Sequence, residues 1–136
     1  MCRQKSIRYR RFLSELVKLF LKVFIWENAK IDSTVYFSHS FGVVIGSDVT
    51  IEKKVFIRNN VTIGRKRSHE LNPIVIGEGT NIGSSSVILA SIGRNCVIGA
   101  GAIVTKPVPD NSIAVGNPAK IRKMSCDADE FLNCGV

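Results

Sequence analysis

At 136 residues the chain has room for one domain, and 45% apolar residues supply an ordinary globular core. The formal charge of +8 is unevenly spread: residues 1–30 hold eight Lys and Arg against Glu15 and Glu27, leaving a body only +2 from neutral. A basic segment on a neutral body excludes a protein basic throughout, as a nucleic-acid coat would be. No aromatic-basic platform for nucleic acid is legible either.

Residues 1–26 are that basic segment. Phe12, Leu13, Leu16, Val17, Phe20, Leu21 and Phe24 recur at helical spacing opposite Arg11, Glu15, Lys18 and Lys22, which predicts an amphipathic α-helix over residues 3–25. Two readings stay open for its apolar stripe: packing on the body or a neighbouring subunit, or peripheral contact with an anionic membrane. The run from Phe12 to Trp26 is too short and too charged to span a bilayer, and no small-residue cleavage site marks it as a signal peptide. Cys2, Cys96, Cys126 and Cys134 have no paired spacing, so free thiols in a reducing cytoplasm are expected. With only His39 and His69 in the chain, no metal site is expected.

From Ile31 the rhythm changes to a repeat of six. Ile45-Gly-Ser-Asp-Val-Thr, Ile51-Glu-Lys-Lys-Val-Phe and Ile57-Arg-Asn-Asn-Val-Thr lead to Ile63; after an interruption the pattern resumes at Ile76, Ile82, Ile92 and Ile98. Neither a helix nor an alternating sheet needs that period. A solenoid does, because each short strand turns one aliphatic side chain inward before a corner, and stacked coils align these side chains in columns. Three such sides close a coil of about 18 residues, so residues 31–104 supply about four. The expected organisation is a helical segment at 1–26, a β-helix at 27–118 and a tail at 119–136 that caps the last coil or is disordered.

These repeats, together with the string from Gly99 to Lys120 (GAGAIVTKPVPDNSIAVGNPAK), resemble the hexapeptide-repeat acyltransferases. The block Ser38-His39-Ser40-Phe41-Gly42-Val43-Val44-Ile45 is similar to the serine-acetyltransferase-like branch, and within it to short members that O-acetylate bacterial surface sugars. The resemblance covers residues 25–122. It implies an all-β, left-handed parallel β-helix, a homotrimer, and acetyl-CoA held in the groove between subunits.

Moving an acetyl group from a thioester to a hydroxyl requires a base for the hydroxyl proton, and an imidazole titrating near neutrality suits that role. Phe37 to Ile45 spans eight residues where the repeat allows six, so His39 sits in a two-residue bulge. There it matches the family's catalytic base. Ser38 stands where serine acetyltransferases carry an acid that meets the amino acid, and Leu71-Asn72 replace an Arg-His pair. The family's orienting carboxylate falls near Phe24, with Glu27 the nearest acid; Glu27, a backbone carbonyl or another subunit is left to orient His39. An ammonium without an acidic partner makes free serine a poor acceptor, so a hydroxyl of a sugar or surface-polysaccharide precursor is expected. Serine O-acetylation and a non-catalytic scaffold are the alternatives.

The segment from Arg65 to Pro73 breaks the repeat, either as a solvated basic loop or as a lip over the groove whose Arg65, Lys66 and Arg67 meet phosphate or an anionic sugar. His69 and Asn72 are its candidate acceptor contacts, with Ser38. Small residues at Ser84, Ser86 and Ala100 would let a pantetheine arm lie against the backbone, although corners of a solenoid favour small residues in any case. Thr105, Lys106 and Lys120 match acetyl-CoA contacts of related enzymes. Cys96, inside a repeat, is expected to pack rather than carry an acyl group. Ile88-Leu-Ala-Ser91 has four residues in place of six, which predicts a tightened coil close to the cofactor groove.

Overall fold

The computed structural model describes residues 23–39, 41–65 and 73–124. The predicted helix up to Leu21 and Lys22, the tail beyond Met124, and Lys66, Arg67, His69 and Asn72 lie outside the described residues.

Among the described residues every regular element is a strand. These strands form three sheets. The first joins β1 (Phe24–Ile25), β4 (Val44–Ile45), β7 (Thr62–Ile63), β10 (Val87–Ile88) and β12 (Ile103–Val104). The second joins β2 (Lys30–Ile31), β5 (Val49–Ile51) and β8 (Ile74–Ile76), and single bridges at Ile92 and Val108 continue it. The third joins β3 (Tyr36–Phe37), β6 (Phe56–Ile57), β9 (Asn81–Ile82), β11 (Val97–Ile98) and β13 (Ser112–Val115), and β14 (Lys120–Lys123) returns antiparallel beside β13. All other pairings are parallel, so the chain winds as a three-sided β-helix.

The core is the set of inward columns that the six-residue rhythm predicts. Ile45, Ile63, Ile88 and Val104 line the first sheet, Ile51, Ile76, Ile92 and Val108 the second, and Ile57, Ile82, Ile98 and Ala114 the third, all buried. Each removes an aliphatic side chain from water, worth about 1.5–3 kcal/mol for the larger ones. A second set of buried corner residues, Val43, Val61, Ser86 and Ala102, precedes the first sheet. Corner turns need left-handed backbone, and Lys54, Asn60, Ser85, Asn95 and Asn111 adopt it alongside Gly79 and Gly101. Asn tolerates that region better than most residues, which accounts for the Asn-rich repeats.

Register shows how irregular lengths are absorbed. Phe24 pairs with Val44, a step of 20 residues, and Val44 with Thr62, a step of 18. Thr62 to Val87 steps 25 and carries the loop; Val87 to Ile103 steps 16. The short unit at Ile88–Ser91 is therefore not solitary, because Val104 to Val108 repeats it and two successive coils are shortened. Both shortenings fall between the first and second sheets. The side between the third and first sheets keeps its full length, from Ile82 to Ile88 and from Ile98 to Val104.

Two expected boundaries move. Phe24 and Ile25 are strand β1 rather than the end of a helix, because Ile25 continues the column of Ile45; two residues at the end of a helical stripe carry no period of their own. The expected tail begins with strand β14, and Met124 just after it is buried against Val97 and Ile113.

Close stacking makes the repeat glycines sensitive. A Cβ on Gly77 would lie 2.5 Å from the carbonyl carbon of Gly93 in the next coil. Gly77→Ala is expected to cost about 1–3 kcal/mol through overpacking against backbone, read as a lowered urea midpoint with an unchanged slope.

Candidate active site

The edge between the third and first sheets collects most of the polar candidates. Its lowest turn is the bulge. His39 lies there with φ +56° and is exposed, and its carbonyl accepts a bond from the Phe41 amide at 2.6 Å. Ser38 stays tied to the coil through its amide, which donates to the Ile57 carbonyl at 2.9 Å. Gly42 closes the bulge with φ +69°, and a Cβ there would meet the Asn60 side chain. Asn60 donates its amide to the Phe41 carbonyl at 2.8 Å, so the coil above holds the bulge in place.

Above the bulge the edge climbs through Asn59, Ser84 and Ala100, one per coil. Ser84 donates its hydroxyl to Asn59 Oδ1 at 2.9 Å, and the Gly101 amide donates to the Ser84 carbonyl at 2.8 Å. At the coil spacing of parallel strands, His39 and Ala100 are separated by roughly 14 Å along the axis. Gly116 to Ala119, with a cis Asn117–Pro118 peptide, folds over the top: the Ile103 amide donates to the Gly116 carbonyl and the Ala119 amide to the Ile103 carbonyl. Lys120 follows that turn and is exposed. Histidine, small residues and a terminal cation thus lie along one edge.

Other candidates fall elsewhere. Ser86 is fully buried and donates to the Gly83 carbonyl at 2.8 Å, so it belongs to the coil interior and cannot touch a ligand in the groove. Serine sits there for its size, the reading that solenoid corners favour. Thr105 and Lys106 occupy the next corner, between the first and second sheets, with Lys106 exposed. Arg65 forms an ion pair with Asp48 on that same side, so its charge is committed within the coil stack. Glu27 lies on the turn between β1 and β2, a different corner from His39, so it does not orient the imidazole within its own chain.

Cys96 is buried, and its thiol donates to the Pro109 carbonyl at 3.1 Å. Burial pushes the thiol above its usual range and the Asp110 charge adds to this, against smaller lowering by hydrogen bonds. A buried protonated thiol is a poor acyl carrier. Among the described residues no three His, Cys, Asp or Glu side chains converge as a metal site.

Sequence reading passed over Tyr36, Phe56 and Arg58. Tyr36 and Phe56 are register partners whose rings stack with centroids 5.1 Å apart, and the Arg58 guanidinium lies 5.7 Å from the Phe56 centroid. The bulge itself hides the pairing: it sets these two aromatics 20 residues apart rather than 18.

The fold and edge define a hexapeptide-repeat β-helix, and residues 73–106 match the family described as a hexapeptide repeat of succinyl-transferase. The chain is 38% identical over 132 residues to the serine acetyltransferase of Salmonella typhimurium, covering 90% of this chain and 48% of that one. It is 37% identical over 133 residues to the galactoside O-acetyltransferase of Escherichia coli, covering 78% and 66%. A solved serine acetyltransferase in complex with CoA superposes with a TM-score of 0.72 at 31% identity, covering 88% of this chain and 50% of that one. The chain belongs to the hexapeptide-repeat acyltransferase family, and it spans about half the length of the serine acetyltransferases it matches.

The burial of Cys96 predicts that a thiol reagent leaves it unmodified in the native protein and labels it after unfolding, as peptide mass mapping would show. Rapid native labelling would contradict the packing.

Proposed function

We propose that the protein is an acetyl-CoA-dependent O-acetyltransferase in which His39 acts as general base, working by direct transfer in a ternary complex. One observation carries this: a two-residue insertion lifts the histidine out of the coil at the foot of an edge whose upper turns are small residues ending at Lys120. The acceptor hydroxyl gives its proton to the imidazole as its oxygen attacks the thioester carbonyl. The tetrahedral intermediate then expels the CoA thiolate, which takes the proton from the imidazolium. Burial of Cys96 supports a route without an acyl-enzyme.

Ser84 and Ala100 are assigned to the pantetheine arm, and Lys120, with Thr105 and Lys106 from the adjoining corner, to its nucleotide end. A homotrimer of left-handed coils would close this edge against a neighbour and supply the group that orients His39. Cytoplasmic residence, with the basic segment that precedes β1 resting on the inner face of the plasma membrane, belongs to the same proposal.

The acceptor is approached from two sides. The serine acetyltransferases among the relatives favour L-serine over a sugar hydroxyl, and they outweigh the galactoside O-acetyltransferase. Ser38 in place of an acid speaks for a sugar. Release of the CoA thiol with L-serine, sugars and sugar nucleotides as acceptors separates the two readings.

His39→Ala is expected to lower acetyl transfer by about 10²- to 10⁴-fold while the protein stays folded and still binds acetyl-CoA. A rate above about a tenth of the original would remove His39 as the base. Ala100→Trp, filling the edge, is expected to raise the KM for acetyl-CoA about tenfold or more with little change in the acceptor's KM.

A further inference from the structure

We propose that Tyr36, Phe56 and Arg58 form the acceptor subsite beside His39, and that it takes a pyranose ring bearing a negative charge, a carboxylate or a phosphate. The inference rests on the assignment of His39 as the base. Tyr36 and Phe56 point outward from the third sheet, their ring planes 26° apart, and Tyr36 is 61% exposed. Phe56 backs Tyr36 in this stack, and Tyr36, on the end strand of the sheet, keeps a flat apolar ring exposed with no core to fill. The C–H face of a pyranose is the complementary shape, and aromatic side chains present such area with little entropy to lose.

Arg58 supplies the charge. Its position continues the pairing of Phe37 with Ile57, which places it one coil above Ser38, and the face of Phe56 holds its guanidinium. The planar fork of that group suits a carboxylate or phosphate. Residues 36–42, 56–60, 83–86 and 99–102 include no Asp or Glu, and among the described residues no carboxylate pairs with Arg58. An ammonium-bearing acceptor would meet a lone cation there. Tyr36 stands three residues before His39, within about 10 Å along the chain, so a ring on the platform can bring a hydroxyl to the imidazole.

Binding is measured without acetyl-CoA, by calorimetry and saturation-transfer NMR on the full chain, with glucuronic acid, glucose 1-phosphate, glucose and L-serine. The two charged sugars are expected to compete for one site and bind about tenfold or more tighter than glucose, with no binding of L-serine. A preference between them identifies the charged group. Arg58→Gln should reduce charged sugars to the level of glucose, and Tyr36→Ala should weaken all three while Tyr36→Phe does not. Equal binding of charged and neutral sugars, or no effect of Arg58→Gln, overturns the proposal. So does a change of mass in solution on Tyr36→Ala, which would make this face an interface between copies. A protein that binds these sugars yet transfers no acetyl group fails the acetyltransferase reading alone.

Discussion

Every coil of this protein must return to the same three sides, because the inward aliphatic columns and the parallel ladders hold only when each strand lies directly over the one below. A residue added or removed cannot be absorbed within a strand, where a shift of one position would turn an isoleucine outward. It has to be expelled or taken up at a corner. The insertion at His39, the loop after Arg65 and the two shortened coils all obey that constraint. The columns stay unbroken through all of them.

The same constraint makes corners the place for chemistry. A side chain that faces the coil interior is buried on every side, as Ile57 and Ser86 are, whereas a corner residue in left-handed backbone projects outward and is braced by hydrogen bonds from adjacent coils. The bulge shows how firm this support is: Asn60 holds the Phe41 carbonyl, and its side chain occupies the space a Cβ on Gly42 would need. An exposed imidazole thus sits on a braced turn, which suits the general-base role proposed for it because no loop has to be ordered at the moment of reaction. Charge is partitioned likewise. Arg65 is committed to Asp48, while the edge that bears His39 has Arg58 and Lys120 and no acid among its described residues.

The columns from Ile45 to Ile98 were legible in the sequence, since a period of six over aliphatic residues has few other physical explanations, and the bulge was legible as a departure from it. Ser86 shows where such reading loses its grip: a serine beside the groove motif and a serine facing the coil interior look the same until the turn is built. The short unit at Ile88 was visible, but its companion at Val104 was masked by Thr105-Lys106-Pro107, which read as motif rather than as a shortened side. Tyr36 and Phe56 were hidden for a different reason. Their contact depends on an insertion between them, so a regular repeat does not pair them.

That division bears on what similarity to other family members conveys. The coil dictates residue type at its inward isoleucines, at its left-handed corner glycines and asparagines, and at the closing turn from Gly116 to Pro118. These positions specify the solenoid and the edge along which a long thioester can lie. The proposed acceptor subsite is made of a few outward side chains at the foot of that edge, which the columns leave free to vary. Ser38, Tyr36, Phe56 and Arg58 are such side chains, and replacing any of them leaves every column intact. A β-helix of this kind can therefore keep its inward columns and its edge while the charge and shape of the outward side chains around one histidine change, which is what the proposed transfer to a particular hydroxyl requires.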